Sequence, residues 1–101
     1  MHQNVKTAEE FDRAVASGKV LVDFWAPWCG PCKMMGEMID REFGQAGDAV
    51  KVVKVNVDEA AELAAKFSVM SIPQLVCFKD GAKVAEFTGV TPAGEILAAF
   101  D

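Results

Sequence analysis

Val20-Leu21-Val22-Asp23-Phe24-Trp25-Ala26-Pro27-Trp28-Cys29-Gly30-Pro31-Cys32-Lys33 is the stretch on which the reading of this chain turns. Its first half, Val20 to Ala26, is an apolar, β-branched and aromatic run bounded by Gly18 and Pro27, the pattern of a buried strand. Its second half opens a helix, because Met34, Met35, Met38, Ile39 and Phe43 recur behind it at helical spacing. Cys29 and Cys32 therefore stand where a strand passes into a helix. At that point the unpaired N–H groups and the positive end of the macrodipole favour a negative charge. They stabilise a thiolate at Cys29, and thiolate is the nucleophilic form. Cys32, one turn further in, is close enough for a disulfide with Cys29. Pro31 fits an early helical position without losing a needed hydrogen bond, and Gly30 has no side chain to obstruct an incoming disulfide.

That placement predicts thiol–disulfide exchange. Cys29 attacks a substrate disulfide and forms a mixed disulfide, which Cys32 resolves by attacking Cys29. A zinc site needs four ligands, and only His2 and Cys77 remain as soft partners for the pair. A structural disulfide closing so small a loop would stabilise little. No metal is expected.

Working outward, Thr7-Ala8-Glu9-Glu10 reads as a capping box ahead of a helix carrying Phe11, Ala14 and Val15, closed by Gly18. Behind the cysteines, Gly44 and Gly47 end the second helix, and Val50 to Val57 forms a second buried strand. Asp58 then caps a helix with Ala60, Leu63, Ala64 and Phe67 on one face. Gln74 to Phe78 is a third strand, and Asp80-Gly81 is a hairpin turn into a strand from Lys83 to Phe87. Thr91-Pro92 opens a last helix with Pro92 at its first position and Ile96, Leu97 and Phe100 on its apolar face. The order is α-β-α-β-α-β-β-α. Helix-separated strands favour parallel pairing, and the hairpin adds an antiparallel edge. An α/β fold follows, with a central mixed sheet and helices on both faces. The residues before Thr7 offer at most a short edge strand.

The chain has 101 residues, enough for a single domain spanning 1–101. With 51% apolar and 25% charged residues it has a globular composition, and no charge-free stretch is long enough to span a membrane. The start, Met1 to Lys6, shows no apolar signal region, so a cytoplasmic location is expected. A net charge of −5 and scattered lysines argue against nucleic-acid binding. Three cysteines are an odd count, unlike a disulfide-stapled secreted framework.

Two charges interrupt apolar strands. Asp23 shares its parity with Leu21 and Trp25, which argues for burial rather than solvent exposure and for a raised pKa. Its expected role is to accept the proton of Cys32 as that thiol attacks. Lys54 either snorkels to the surface or partners Asp23 across adjacent strands. Pro73 fits a strand start or a sharp turn. Cys77, between Val76 and Phe78, reads as a small buried hydrophobe.

Residues 22–33, Val-Asp-Phe-Trp-Ala-Pro-Trp-Cys-Gly-Pro-Cys-Lys, closely resemble the active-site signature of the thioredoxin family. Val55-Asn56-Val57-Asp58, Ser71-Ile72-Pro73, Phe78-Lys79-Asp80-Gly81 and the isolated Gly89 extend the resemblance over nearly the whole chain. It implies the thioredoxin fold, a four- or five-stranded mixed sheet flanked by four helices, and a protein disulfide reductase. It also implies that Pro73 is cis and faces the cysteine pair, that Ile72 offers backbone groups to the substrate, and that Trp28, Ile72 and Gly89 form an apolar docking patch. The Gly30-Pro31 dipeptide is similar to that of the reducing members. The implied partners are a thioredoxin reductase as electron donor and disulfide-containing target proteins. No bound cofactor is implied, and a monomer is expected. A redox-independent binding subunit, or an oxidase or isomerase on the same fold, are the competing readings.

Three departures from the family pattern stand out. Glu37 occupies the position of a kinking proline, which predicts a straighter helix, a carboxylate near its second turn and altered stability. Gln74 follows Pro73 where threonine is common. The chain begins abruptly, so the first strand is expected to be short or missing.

Overall fold

The computed structural model of the protein describes residues 2–43 and 49–101. Its elements are β1 (His2–Asn4), α1 (Ala8–Ala14), β2 (Lys19–Trp25), α2 (Gly30–Glu42), β3 (Val50–Asn56), α3 (Ala61–Lys66), β4 (Gln74–Lys79), β5 (Ala82–Thr88) and α4 (Ala93–Ala98). The expected alternation is present, with the short N-terminal edge strand added. The sheet has five strands in the order β1-β3-β2-β4-β5. β1, β3 and β2 run parallel, and β4 and β5 join antiparallel.

Strand alternation divides the core into two layers. Val20, Val22 and Phe24 of β2 face one side with Val53, Val55 and Val76, where Phe11 of α1 and Leu63 of α3 cover them. Leu21 faces the other side with Val52, Leu75 and Cys77, covered by Met35 and Ile39 of α2 and Ile96 of α4. Both layers are almost fully buried, as expected for a mixed sheet with helices on both faces. Among the described residues no helix is long and apolar enough to cross a membrane.

Local signals explain several boundaries. Thr7 caps α1 reciprocally: the Glu10 N–H donates to Thr7 Oγ1 (3.1 Å), and the Thr7 N–H donates to Glu10 Oε1 (3.2 Å). Thr7→Ala removes one half of that exchange and is expected to cost about 1 kcal/mol. A lower urea midpoint with an unchanged m-value checks it. The hairpin turn has positive φ at both Asp80 (50°) and Gly81 (87°), the geometry that Asp-Gly favours between twisted strands. Asp80 Oδ1 also accepts the Gly18 N–H (2.8 Å), tying the turn to the loop after α1.

Other expectations need correction. Asp58 does not cap α3: the helix starts at Ala61 after Ala60, without a side-chain cap, because the Asp58 carboxylate serves a distant indole. Pro92 is the N-cap of α4 rather than its first helical residue, and the Thr91 hydroxyl donates to the Gly89 carbonyl (3.0 Å). Leu97 and Met34 lie at helical spacing yet are exposed, since each helix presents only a narrow stripe to the sheet. α2 runs unbroken to Glu42 with Phe43 as its C-cap. The expected stop at Gly44 and Gly47 lies outside the described residues.

Candidate active site

β2 delivers the chain to the end of the sheet, and Pro27-Trp28 turns it into α2. Cys29 is the N-cap of that helix, in extended conformation, and its Sγ accepts the Cys32 N–H (3.2 Å). Gly30 and Pro31 form the first helical positions, where a missing N–H costs nothing. Cys29 and Cys32 are joined in a disulfide with Cα atoms 5.2 Å apart. When the bond is reduced, the same N–H and the helix dipole stabilise a Cys29 thiolate. The two sulfurs border different depressions: Cys29 an apolar groove, Cys32 a separate one that also holds Asp23.

The groove, about 580 Å³, surrounds Cys29 with Trp28, Pro31, Val57, Val69, Met70 and Ile72. No charged side chain lines it among the described residues. Trp28 is 71% exposed, and its indole N–H donates to Asp58 Oδ2 (2.9 Å), which fixes the ring beside the groove. The Ile72–Pro73 bond is cis, as the resemblance implied. The Ile72 carbonyl oxygen lies 3.8 Å from Cys29 Sγ. Gly89, at φ 87°, donates its N–H to the Pro73 carbonyl (2.8 Å) and so braces the turn from behind. Of the residues expected in the docking surface, Trp28, Gly30, Pro31 and Ile72 line the groove together, whereas buried Pro73 and half-buried Gly89 do not line it and are joined to each other behind Ile72.

Asp23 is 1% exposed and stands opposite Lys54 in the β2–β3 register. Lys54 Nζ lies 3.2 Å from Asp23 Oδ2, so of its two open readings the cross-strand partnership is the one the fold realises. Burial holds the Asp23 carboxyl above the ordinary carboxylate range, with the Lys54 ammonium pulling the other way. Asp23 Oδ1 and Trp25 Nε1 have no partner among the described residues. Both residues line a cavity of about 410 Å³, together with Cys32, Lys54 and Glu37. Its lining is mainly apolar but includes these polar groups, and it is large enough for water, which can satisfy both orphaned atoms. Glu37 thus places its carboxylate beside the Asp23 cavity, at the second turn of α2.

Cys77 lies fully buried on β4, and burial pushes its thiol up to about 11. It is a packing residue of the α2–α4 layer, as its apolar neighbours suggested. The residues that sequence reading missed are Val57, Val69, Met70 and Asp58. Met70 is 92% exposed at the groove rim, and no local pattern marks an isolated methionine as surface. Asp58 carried a signal, a carboxylate after a strand, but its indole partner is thirty positions away in sequence.

Comparison with known proteins agrees with this geometry. A family model for thioredoxin matches residues 2–101. The chain is 46% identical over 86 residues to the thioredoxin of Bacillus subtilis, covering 85% of this chain and 83% of that protein. It is 43% identical over 95 residues to a Staphylococcus haemolyticus thioredoxin, covering 94% of this chain and 91% of that one. Among solved structures, Malassezia sympodialis thioredoxin superposes with a TM-score of 0.83 at 34% identity, covering 97% of this chain and 89% of the other. Oxidised mitochondrial thioredoxin 3 of Saccharomyces cerevisiae gives 0.85 at 32% identity, with 96% and 92% covered. With an exchangeable Cys29–Cys32 pair at a helix N-terminus, the chain belongs to the thioredoxin family and is a thiol–disulfide oxidoreductase.

Proposed function

We propose that the protein reduces disulfides of other proteins with Cys29 as attacking thiolate, Cys32 as resolving thiol and Asp23 as proton acceptor. The observation that carries this reading is the division of the pair, Cys29 on the open groove and Cys32 on the cavity that holds Asp23. A target polypeptide docks on Trp28, Pro31 and Ile72, and the Ile72 backbone offers it hydrogen bonds. The Cys29 thiolate attacks one target sulfur, forming a mixed disulfide and expelling the other sulfur as thiolate. Cys32 then gives its proton across the cavity to the Asp23 carboxylate and attacks Cys29 Sγ. The target leaves with both sulfurs reduced, and the Cys29–Cys32 disulfide remains. Lys54 steadies the Asp23 carboxylate while it is charged. Pro73 and Gly89 hold the docking segment in place.

The cycle closes when a thioredoxin reductase returns two electrons to the pair. The protein acts as a cytoplasmic monomer without a bound cofactor. Its reduction potential separates a reductase from an oxidase on the same fold. Equilibration against a glutathione buffer is expected to give a value at or below the cytosolic poise of about −220 to −260 mV. A value near that of the oxidising periplasmic or reticular proteins would assign the chain to disulfide formation instead. A redox-independent scaffold role would need partner binding that survives loss of both cysteines.

A further inference from the structure

The apolar groove does not end at its rim. Met70 and Ser71 form a shared wall with a second cavity of about 480 Å³, whose other side is built from Lys66, Gln74, Lys83 and Glu86. The two depressions differ in chemistry. The first carries no charge and receives the target cysteine; the second carries two ammonium groups against one carboxylate. Lys83 Nζ lies 2.6 Å from Glu86 Oε1 and is thereby neutralised locally. Lys66, in the last turn of α3, is exposed and makes no ion pair among the described residues. The Gln74 side chain, which lines the cavity, accepts the Thr88 hydroxyl (2.6 Å), leaving its amide N–H groups as further donors. A cavity with one more cation than carboxylates and with spare donors, on a chain of net charge −5, is locally complementary to an anion.

We propose that this second cavity is an extension of the docking site, and that it selects target polypeptides bearing an acidic side chain. Such a target places an apolar residue and its disulfide in the groove, crosses the Met70–Ser71 wall, and seats an Asp or Glu against Lys66. The inference rests on Cys29-centred exchange as proposed above and adds a specificity determinant to it. The step it alters is encounter and binding, so the effect falls on kcat/KM through KM and weakens with salt.

The test uses peptides with one intramolecular disulfide and a leucine beside the first cysteine. An Asp, Asn or Lys is placed at successive positions beyond the leucine. Reduction by the intact protein is followed at low and high ionic strength. At one position or more, the Asp peptide is expected to exceed the Lys peptide about threefold in kcat/KM, the scale of an exposed charge pair. Lys66→Gln should bring that ratio close to one, and Lys66→Glu should invert it. The ratio between peptides cancels any general loss of activity in the variants. Equal rates for the three peptides at every position, with exchange intact, overturn the proposal and leave disulfide exchange standing. So does an Asp preference that neither Lys66 variant moves. Failure to reduce any peptide would overturn both.

Discussion

Cys29→Ser is expected to reduce protein disulfide turnover to the uncatalysed background, while the protein remains folded. Serine is as good an N-cap as any residue, and its hydroxyl can accept the Cys32 N–H that Cys29 Sγ accepts now. Helix α2 therefore keeps its start, and the loss is chemical: a hydroxyl has no accessible anion near neutral pH. Cys32→Ser should behave differently. Cys29 still attacks but nothing resolves the adduct, so turnover falls sharply and one equivalent of target accumulates as a mixed disulfide. Insulin disulfide reduction measures the rates, and intact-protein mass spectrometry counts the adduct. Full turnover in Cys29→Ser, or adduct formation through Cys32 instead, would refute the assignment of unequal jobs.

The second large effect belongs to Asp23. Its native pKa is raised by burial, so between the ordinary carboxylate value of 3.8 and the native one the folded state binds more protons than the unfolded. Stability contributed by the protonated carboxyl is complete below the ordinary value. It is lost as pH rises through the native value. Asp23→Asn cannot ionise and escapes that loss. The variant is expected to be more stable than the parent at pH 7, because the raised pKa of Asp23 shows that burial outweighs the Lys54 attraction the variant forfeits. The difference should shrink as pH is lowered towards the ordinary carboxylate range. Activity moves the opposite way. Without a proton acceptor for Cys32, the resolving step should slow by about 10²-fold near neutrality. It should recover at high pH, where the thiol ionises unaided. Urea unfolding across pH and single-turnover resolution rates check the two halves. A variant neither stabilised nor slowed would remove Asp23 from both roles.

Much of the fold is legible in the sequence because its signals are local. The apolar run from Val20 to Ala26, the Thr7 capping box and the Asp80-Gly81 turn each specify a conformation within a few residues. The parity of Asp23 with Leu21 likewise foretold its burial, and the structure adds that Leu21 packs on the α2 side of the sheet. What escaped depends on contacts between distant segments. Asp58 reads as a helix cap until Trp28 brings an indole N–H to it. Leu97 reads as core until α4 proves to bury only Ile96. The groove around Cys29 draws Val57 and Val69 from the separate loops after β3 and α3, and no spacing rule joins them. The partnership of Lys54 with Asp23 depended on strand register, which two apolar strands leave undetermined until they pair.

Cys77 gives the last consequence. It sits on β4 between β2 and β5, beneath α2 and α4. A thiol placed there is fully buried in a different packing cluster from Cys29 and Cys32, and its raised pKa keeps it un-ionised at neutrality. The chain thus has three sulfurs that could pair but only one pairing available while folded. Packing favours a redox stoichiometry of two electrons per molecule, carried by the Cys29–Cys32 pair alone.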